Sequence, residues 1–228
     1  MYDPNNLKGV TMPYKAVLFD LDGTLLDTLY DLREAVNYVM RKYNQPEHSM
    51  EAVRSFVGNG VRNLMRKAVP GGEDNPTFEE QLALDIEYYR LHNRANTRPY
   101  KGVYDILDEL REKWIKVAVI SNKDEVAVND LCDYYFEYRY DIALGNTSTR
   151  PRKPYPTIVY SAMERFVASK KDVLYVGDSE TDAATAENAG VDYVLVSWGF
   201  RDRKTLEQFN AKAVIDTPEE LMPIVLAR

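Results

Sequence analysis

Lys15-Ala16-Val17-Leu18-Phe19 runs directly into Asp20-Leu21-Asp22-Gly23-Thr24. A short apolar run closed by two acids and a glycine reads as a strand buried on both faces that ends in a tight turn. Gly23 permits that turn because glycine tolerates positive φ. If the chain leaves the strand directly after Asp20, the carboxylates of Asp20 and Asp22 can face one point. A strand buried on both faces belongs to a parallel sheet with helices on either side, so strand–helix alternation is expected along the rest of the chain.

That alternation is present, with one interruption. Leu29, Leu32, Val36, Val39 and Tyr43 recur at helical spacing, and helices are expected near residues 50–56, 61–69 and 78–93. Pro70-Gly71-Gly72 to Pro76 breaks them as a loop. After Pro99 the alternation resumes. Strands are expected over 116–120, 141–144, 173–176, 193–196 and 213–215. Helical patterns cover 103–113, 125–135, 155–167, 181–189 and 218–226, with a further element at 205–209. Gly190 is a stop signal for the helix before it. The simplest architecture is an α/β core, a Rossmann-like parallel sheet, split by a helical insertion after its first strand. The division is then residues 14–27 and 97–228 for the core and 28–96 for the insertion, with residues 1–13 as a loose arm.

Composition narrows the function. The 228 residues carry 29 Lys+Arg against 36 Asp+Glu, a formal charge of -7. Such acidity disfavours a protein that wraps a nucleic-acid backbone. It does not exclude a small anionic ligand whose site holds its own local charge. The lone Cys132 excludes an intrachain disulfide and a multi-cysteine zinc site. The first residues lack the apolar core of a signal peptide, and no stretch approaches the ~18 apolar residues of a membrane span. A reducing, cytoplasmic setting is expected, with neither membrane nor nucleic acid as partner. Monomer and homodimer are equally open.

In open α/β sheets, ligands bind beyond the carboxyl ends of the strands. There the sequence delivers Asp20 and Asp22 after the first strand, Ser121-Asn122-Lys123 after the second, and Asp178-Ser179-Glu180-Thr181-Asp182 after Val173–Gly177. Lys153, ahead of Pro154, can reach the same rim. Four carboxylates against one lysine would repel one another unless a hard divalent cation joined them. Mg²⁺ prefers carboxylate and water oxygens and commonly bridges to phosphate. A hydroxyl from Ser121 or Thr24, backbone N–H groups and Lys153 would then meet the remaining phosphoryl oxygens. Of Asp20 and Asp22, one would be a nucleophile and the other a general acid/base.

Asp20-Leu21-Asp22-Gly23-Thr24 resembles the first motif of the haloacid dehalogenase superfamily. Ser121, Lys153 and Gly177-Asp178-Ser179-Glu180-Thr181-Asp182 match its second, third and fourth motifs in order. The resemblance covers nearly the whole chain from Tyr14 onward, and residues 28–96 look like that superfamily's helical cap. Phe56-Val57-Gly58-Asn59-Gly60-Val61-Arg62-Asn63-Leu64 is similar to cap segments of phosphoglycolate phosphatase-like members. The resemblance implies that Asp20 attacks phosphorus and that Asp22 protonates the leaving oxygen and then activates water. It implies Mg²⁺ on the Asp20 carboxylate, the Asp22 carbonyl and Asp178. Asp182 and Thr24 would support these ligands, and Ser121, Asn122 and Lys153 would hold the phosphoryl group. The superfamily's dehalogenases lack the second acid and its ion pumps carry Thr there, so a phosphatase or a phosphomutase is implied. A small phosphate monoester such as phosphoglycolate is the expected substrate. A sugar phosphomutase and an inorganic pyrophosphatase are the alternatives, and a non-enzymatic receiver domain would need no such insertion.

Simpler readings compete at several positions. Asp-x-Asp-Gly can open a calcium loop, but Gly23 falls at loop position four and Asp31 replaces the glutamate at twelve. Gly58-Asn59-Gly60 is either a turn opening a helix or a cap loop touching substrate, with Asn59, Gly60 and Arg62 the candidate contacts and Arg62 a partner for a carboxylate. Asp182 could simply cap the helix after it. Cys132 reads as a buried small apolar residue. His48 and His92 read as structural or surface residues, and Tyr134, Tyr135, Tyr138 and Tyr140 as half-buried rings or a partner surface. Trp198-Gly199-Phe200-Arg201 shapes the rim or packs the core.

Overall fold

Strand β1 (Ala16–Phe19) sits at the middle of a six-stranded parallel sheet in the computed structural model, which describes residues 12–227. Its side chains alternate between two apolar layers, as a strand's period of two requires. Val17 and Phe19 face one cluster, and Ala16 and Leu18 face the other. All four are buried. This is why the run lacks the polar alternation of a half-exposed strand.

The chain then forms a two-residue strand β2 (Leu26–Asp27) and four helices, α1 (Leu29–Lys42), α2 (Met50–Phe56), α3 (Gly60–Ala68) and α4 (Phe78–His92). It returns through β3 (Arg98–Pro99), antiparallel to β2. The four helices share their own core, including Val36, Met40, Val53, Met65 and Phe78. Asp31 of α1 is buried and fastens the returning chain. It accepts from the backbone N–H of Asn96 (3.0 Å) and Thr97 (2.8 Å) and from the Thr97 hydroxyl (2.9 Å).

The alternation resumes with α5 (Val103–Glu112), β4 (Lys116–Asp124), α6 (Glu125–Tyr135), β5 (Ile142–Asn146), α7 (Thr157–Phe166) and β6 (Val173–Gly177). It ends with α8 (Glu180–Ala189), β7 (Asp192–Val196), α9 (Arg203–Leu206), β8 (Ala213–Ile215) and α10 (Leu221–Leu226). The sheet order is β5-β4-β1-β6-β7-β8. The chain thus builds outward from β1 on one side and then crosses to the other. Phe19 pairs with Val119 of β4 and with Val176 of β6. The residues one or two positions later on all three strands therefore reach one rim.

The expected α/β fold is observed. The short β2–β3 pair was not anticipated, because two residues carry no periodicity. β4 continues to Asp124 instead of ending near Ile120, with a register shift between Ile120 and Asp124 against β5. The element expected at 205–209 is helix α9, at 203–206. Residues 218–226 divide into a 3₁₀ turn and α10. Apart from Met12 and Pro13, the arm expected over residues 1–13 lies outside the described residues. No helix among them is long and apolar enough to cross a membrane.

Candidate active site

β1, β4 and β6 deliver Asp20, Ser121 and Asp178 to adjacent strand ends, and all three side chains are buried. They line one cavity of about 510 Å³, together with Asp22, Asn122 and Lys153. The inserted helices close part of its wall, through residues such as Gly58, Gly60, Asp85 and Tyr89, and core residues such as Ala127 and Phe200 supply the rest.

Lys153 is the hub. Its ammonium lies 2.8 Å from Asp20 Oδ1 and 2.8 Å from Asp182 Oδ1, and donates to the Tyr175 hydroxyl at 3.2 Å. Burial alone would lower its pKa, but the charges of Asp182 and Asp20 outweigh it and hold the lysine well above its ordinary value. Asn122 fixes the backbone here. Its Oδ1 accepts from the Lys153 N–H at 2.7 Å, and its Nδ2 donates to the carbonyls of Lys153 and Gly58, both at 3.2 Å. Asn122 thereby ties the lysine to the inserted helices.

Asp182 is fully buried and well supplied with donors. Besides Lys153 it receives the hydroxyls of Tyr175 (2.8 Å) and Ser179 (2.6 Å) and the Asp178 N–H (3.3 Å). Burial pushes this carboxyl up, but Lys153 and these hydrogen bonds prevail and hold it below its ordinary value. Asp20 has the Lys153 ion pair and Asp178 the Phe200 N–H, but in neither do these donors outweigh burial. Burial first, and the charge of Asp182 second, raise Asp20 to about 7 and Asp178 well above its ordinary value. Asp20, Asp178 and Asp182 have carboxylate oxygens within 4.8 Å of one another, a spacing that suits a metal ion. The donors already on Asp182 leave Asp20 and Asp178 as the better ligands. Buried carboxylates whose charge is unbalanced are a donor set that a divalent cation fits.

The Asp178 carboxylate is held in a backbone cradle. Phe200 N–H donates to Oδ2 at 2.6 Å. A Cβ on Gly23 would fall 2.3 Å from that oxygen, and one on Gly199 would fall 2.5 Å from it. The Trp198–Arg201 stretch therefore shapes the rim. Trp198 Nε1 donates to the Thr24 carbonyl at 3.0 Å, and Phe200 packs into the core of the inserted helices. Arg201 pairs with Glu180 and donates to the Arg54 and Val57 carbonyls, both at 3.1 Å. The Thr24 hydroxyl is buried without a hydrogen-bond partner among the described residues.

Asp22 accepts from the Thr28 hydroxyl at 2.7 Å and forms an ion pair with Lys123 at 3.2 Å. Lys123 in turn donates to the Tyr89 hydroxyl of α4 at 3.0 Å. Burial lowers the lysine, but Asp22 and Tyr89 outweigh it and hold it charged. Asp85, one turn before Tyr89 on α4, is buried in the cavity wall with Oδ1 unpartnered among the described residues, and burial raises it to about 7.

Of the residues singled out in the insertion, Gly60 lines the cavity. Asn59 stands just behind it, accepting from the Thr181 hydroxyl at 3.5 Å. Arg62 is not brought to the site. Its guanidinium is taken by Glu79 (2.7 Å) and Glu73 (3.5 Å) and lies over the Phe78 ring. His48 and His92 lie outside the cavity lining, each bonded to a backbone carbonyl at 2.8 Å, and His92 is exposed. Sequence reasoning missed Tyr175, Lys123, Tyr89 and Asp85. Lys123 and Tyr175 were legible in principle, since one follows Ser121-Asn122 and the other is the lone polar tip in the β6 strand. Tyr89 and Asp85 carried no signal beyond a helix face.

A family model described as haloacid dehalogenase-like hydrolase matches residues 17–196. Phosphoglycolate phosphatase of Pseudomonas putida is 33% identical over 223 residues, covering 93% of this chain and 80% of its own. Phosphoglycolate phosphatase of Nitrosospira multiformis is 31% identical over 224 residues, covering 94% and 96%. A crystal structure from Lactobacillus delbrueckii subsp. bulgaricus, provisionally assigned as a phosphoglycolate phosphatase, superposes with TM-score 0.89 at 32% identity, covering 95% of this chain and 100% of that one. The motifs on three neighbouring strand ends, the fold and these likenesses agree: the chain belongs to the haloacid dehalogenase-like hydrolase family.

Proposed function

We propose that the chain is a phosphatase that hydrolyses a small phosphate monoester of the phosphoglycolate type through an aspartyl-phosphate intermediate. The observation that carries this reading is the Asp20–Lys153 pair at 2.8 Å, buried at the foot of a cavity that Asp22, Ser121 and Asp178 also line. The names of the relatives support phosphoglycolate as the first substrate to test.

In the first step an Asp20 carboxylate oxygen attacks phosphorus. The bond from phosphorus to the bridging oxygen breaks, and Asp22 passes its proton to the departing alkoxide. In the second step water attacks the phosphoryl group, Asp22 takes the water proton, and the Asp20–phosphorus bond breaks to release phosphate. Ser121 binds a phosphoryl oxygen, and Lys153 binds another as its bond to Asp20 passes to the phosphoryl group, while Tyr175, Asp182 and Asn122 hold Lys153 in place. Asp20, Asp178 and the Asp22 carbonyl would hold Mg²⁺, which supplies positive charge to the phosphoryl oxygens. Residues 28–96 serve as a cap that keeps bulk water from the reacting group. The Gly58–Gly60 loop is one of its contacts with the core, through Asn122 and Thr181.

Hydrolysis of phosphoglycolate and of an aryl phosphate with Mg²⁺ tests the reading. Turnover is expected to vanish in Asp20→Asn and with chelator. Undiminished turnover in Asp20→Asn would sink the nucleophile assignment.

A further inference from the structure

Two lysines line the cavity, Lys153 buried and Lys123 half-buried, and Lys123 has a donor to spare. Lys153 divides its three N–H donors among Asp20, Asp182 and the Tyr175 hydroxyl. Lys123 has an ion pair with Asp22 and a hydrogen bond to the Tyr89 hydroxyl, and no third acceptor among the described residues. An ammonium has three donors, so one is left for a ligand. Among the other cations on the cavity wall, Arg201 is paired with Glu180, while Arg90 and Arg152 lie on the exposed rim.

The place of Lys123 gives that free donor a meaning. Asp22, only 3.2 Å away, is the group assigned to protonate the bridging oxygen of the substrate. In phosphoglycolate the carboxylate is separated from that oxygen by one methylene. A cation beside Asp22 is therefore where such a carboxylate must lie when the bridging oxygen reaches the acid. We propose that Lys123 receives the carboxylate of the leaving group and so selects α-carboxylated phosphate monoesters. This inference rests on the phosphatase reading above. It replaces Arg62, whose guanidinium is spent on Glu79 and Glu73, as the carboxylate partner.

Tyr89 has a part in the same device. It reaches Lys123 from α4, so the inserted helices orient the selecting cation while Asp22 holds it from the core side. Tyr89 is a positioning residue here, because it touches Lys123 and needs no contact with substrate.

The test compares phosphoglycolate with ethyl phosphate, which keeps the bridging oxygen and carbon number but lacks the carboxylate. The wild type is expected to favour phosphoglycolate in kcat/KM. In Lys123→Met the ratio of the two kcat/KM values should fall by about 10- to 100-fold, the weight of a charge-assisted hydrogen bond. Lys123→Arg should recover part of it. A wild-type ratio near one overturns the inference, as does a Lys123→Met variant that loses both substrates equally, since Lys123 would then act only through Asp22. If Lys123→Met does not fold, Tyr89→Phe takes its place, with a smaller fall in the same ratio expected and an unchanged ratio counting against the inference. Failure of the phosphatase reading looks different: the wild type would then hydrolyse neither ester, nor p-nitrophenyl phosphate.

Discussion

Lys153 holds Asp20 by a 2.8 Å ion pair in a buried pocket, and the same ammonium holds Asp182 at 2.8 Å. One cation thus serves two carboxylates, and Asp178 stands close by without one of its own. Removing the lysine leaves three buried acids unbalanced. Loss of one partner from a buried pair typically costs about 3–5 kcal/mol. Lys153→Met is expected to lose that much in urea unfolding at pH 8. The deficit should shrink as the pH falls, because the acids can then protonate in the folded state. An equal deficit at pH 5 and pH 8 would contradict the charge assignment.

Asp85 gives a pH signature of its own. Burial raises its folded-state pKa to about 7, whereas the unfolded chain releases that proton near the ordinary value of about 4. Between these values the folded state holds one more proton, so this group makes stability fall as pH rises, until the folded pKa is passed. Asp85→Asn should remove this slope. Wild type and variant are expected to diverge progressively from pH 4 to pH 7, with the variant the more stable above that. Parallel stability curves would show that Asp85 is compensated.

Divalent metal should stabilise the fold by mass action, since the Asp20–Asp178 donor set exists only when the chain is folded. Mg²⁺ at about a hundred times its dissociation constant is expected to raise the Tm by about 5–10 °C. Asp178→Asn should abolish that rise. A melting curve indifferent to Mg²⁺ in the wild type would count against this donor set.

Gly199 tests the cradle of Asp178. A Cβ there would sit 2.3 Å from the Gly23 carbonyl oxygen and 2.5 Å from the Asp178 side chain, so backbone or carboxylate must shift. Gly199→Ala is expected to weaken Mg²⁺ activation at least about tenfold, the effect of a small displacement at a metal site. Wild-type Mg²⁺ activation in Gly199→Ala would show that the cradle tolerates movement.

The main architecture was legible because each strand at the centre of the sheet is buried on both faces, and Ala16–Phe19 carries that in four apolar letters. Asp20 and Asp178 were legible because strand ends converge by topology alone, and Lys153, seven residues beyond β5, through its resemblance to the family's third motif. Arg62 shows the limit. Its position in the chain suggested a ligand contact, but Glu79, seventeen residues on, captures it across the α3–α4 gap, and no local pattern encodes that. Lys123, Tyr89 and Asp85 meet only when α4 and the end of β4 come to line one cavity. Their meeting depends on tertiary contacts that periodicity in the sequence does not specify.

The central claim is that Asp20 carries the phosphoryl group. Asp22→Asn mixed with p-nitrophenyl phosphate and Mg²⁺, then quenched in acid within one turnover, tests it most directly. The aryl leaving group needs no proton, so the first step should proceed while the second stalls for want of a base. Mass spectrometry is expected to find a phosphoryl group on the peptide that bears Asp20. Release of p-nitrophenol with no phosphoryl group on that peptide, or with one on another residue, would contradict the account.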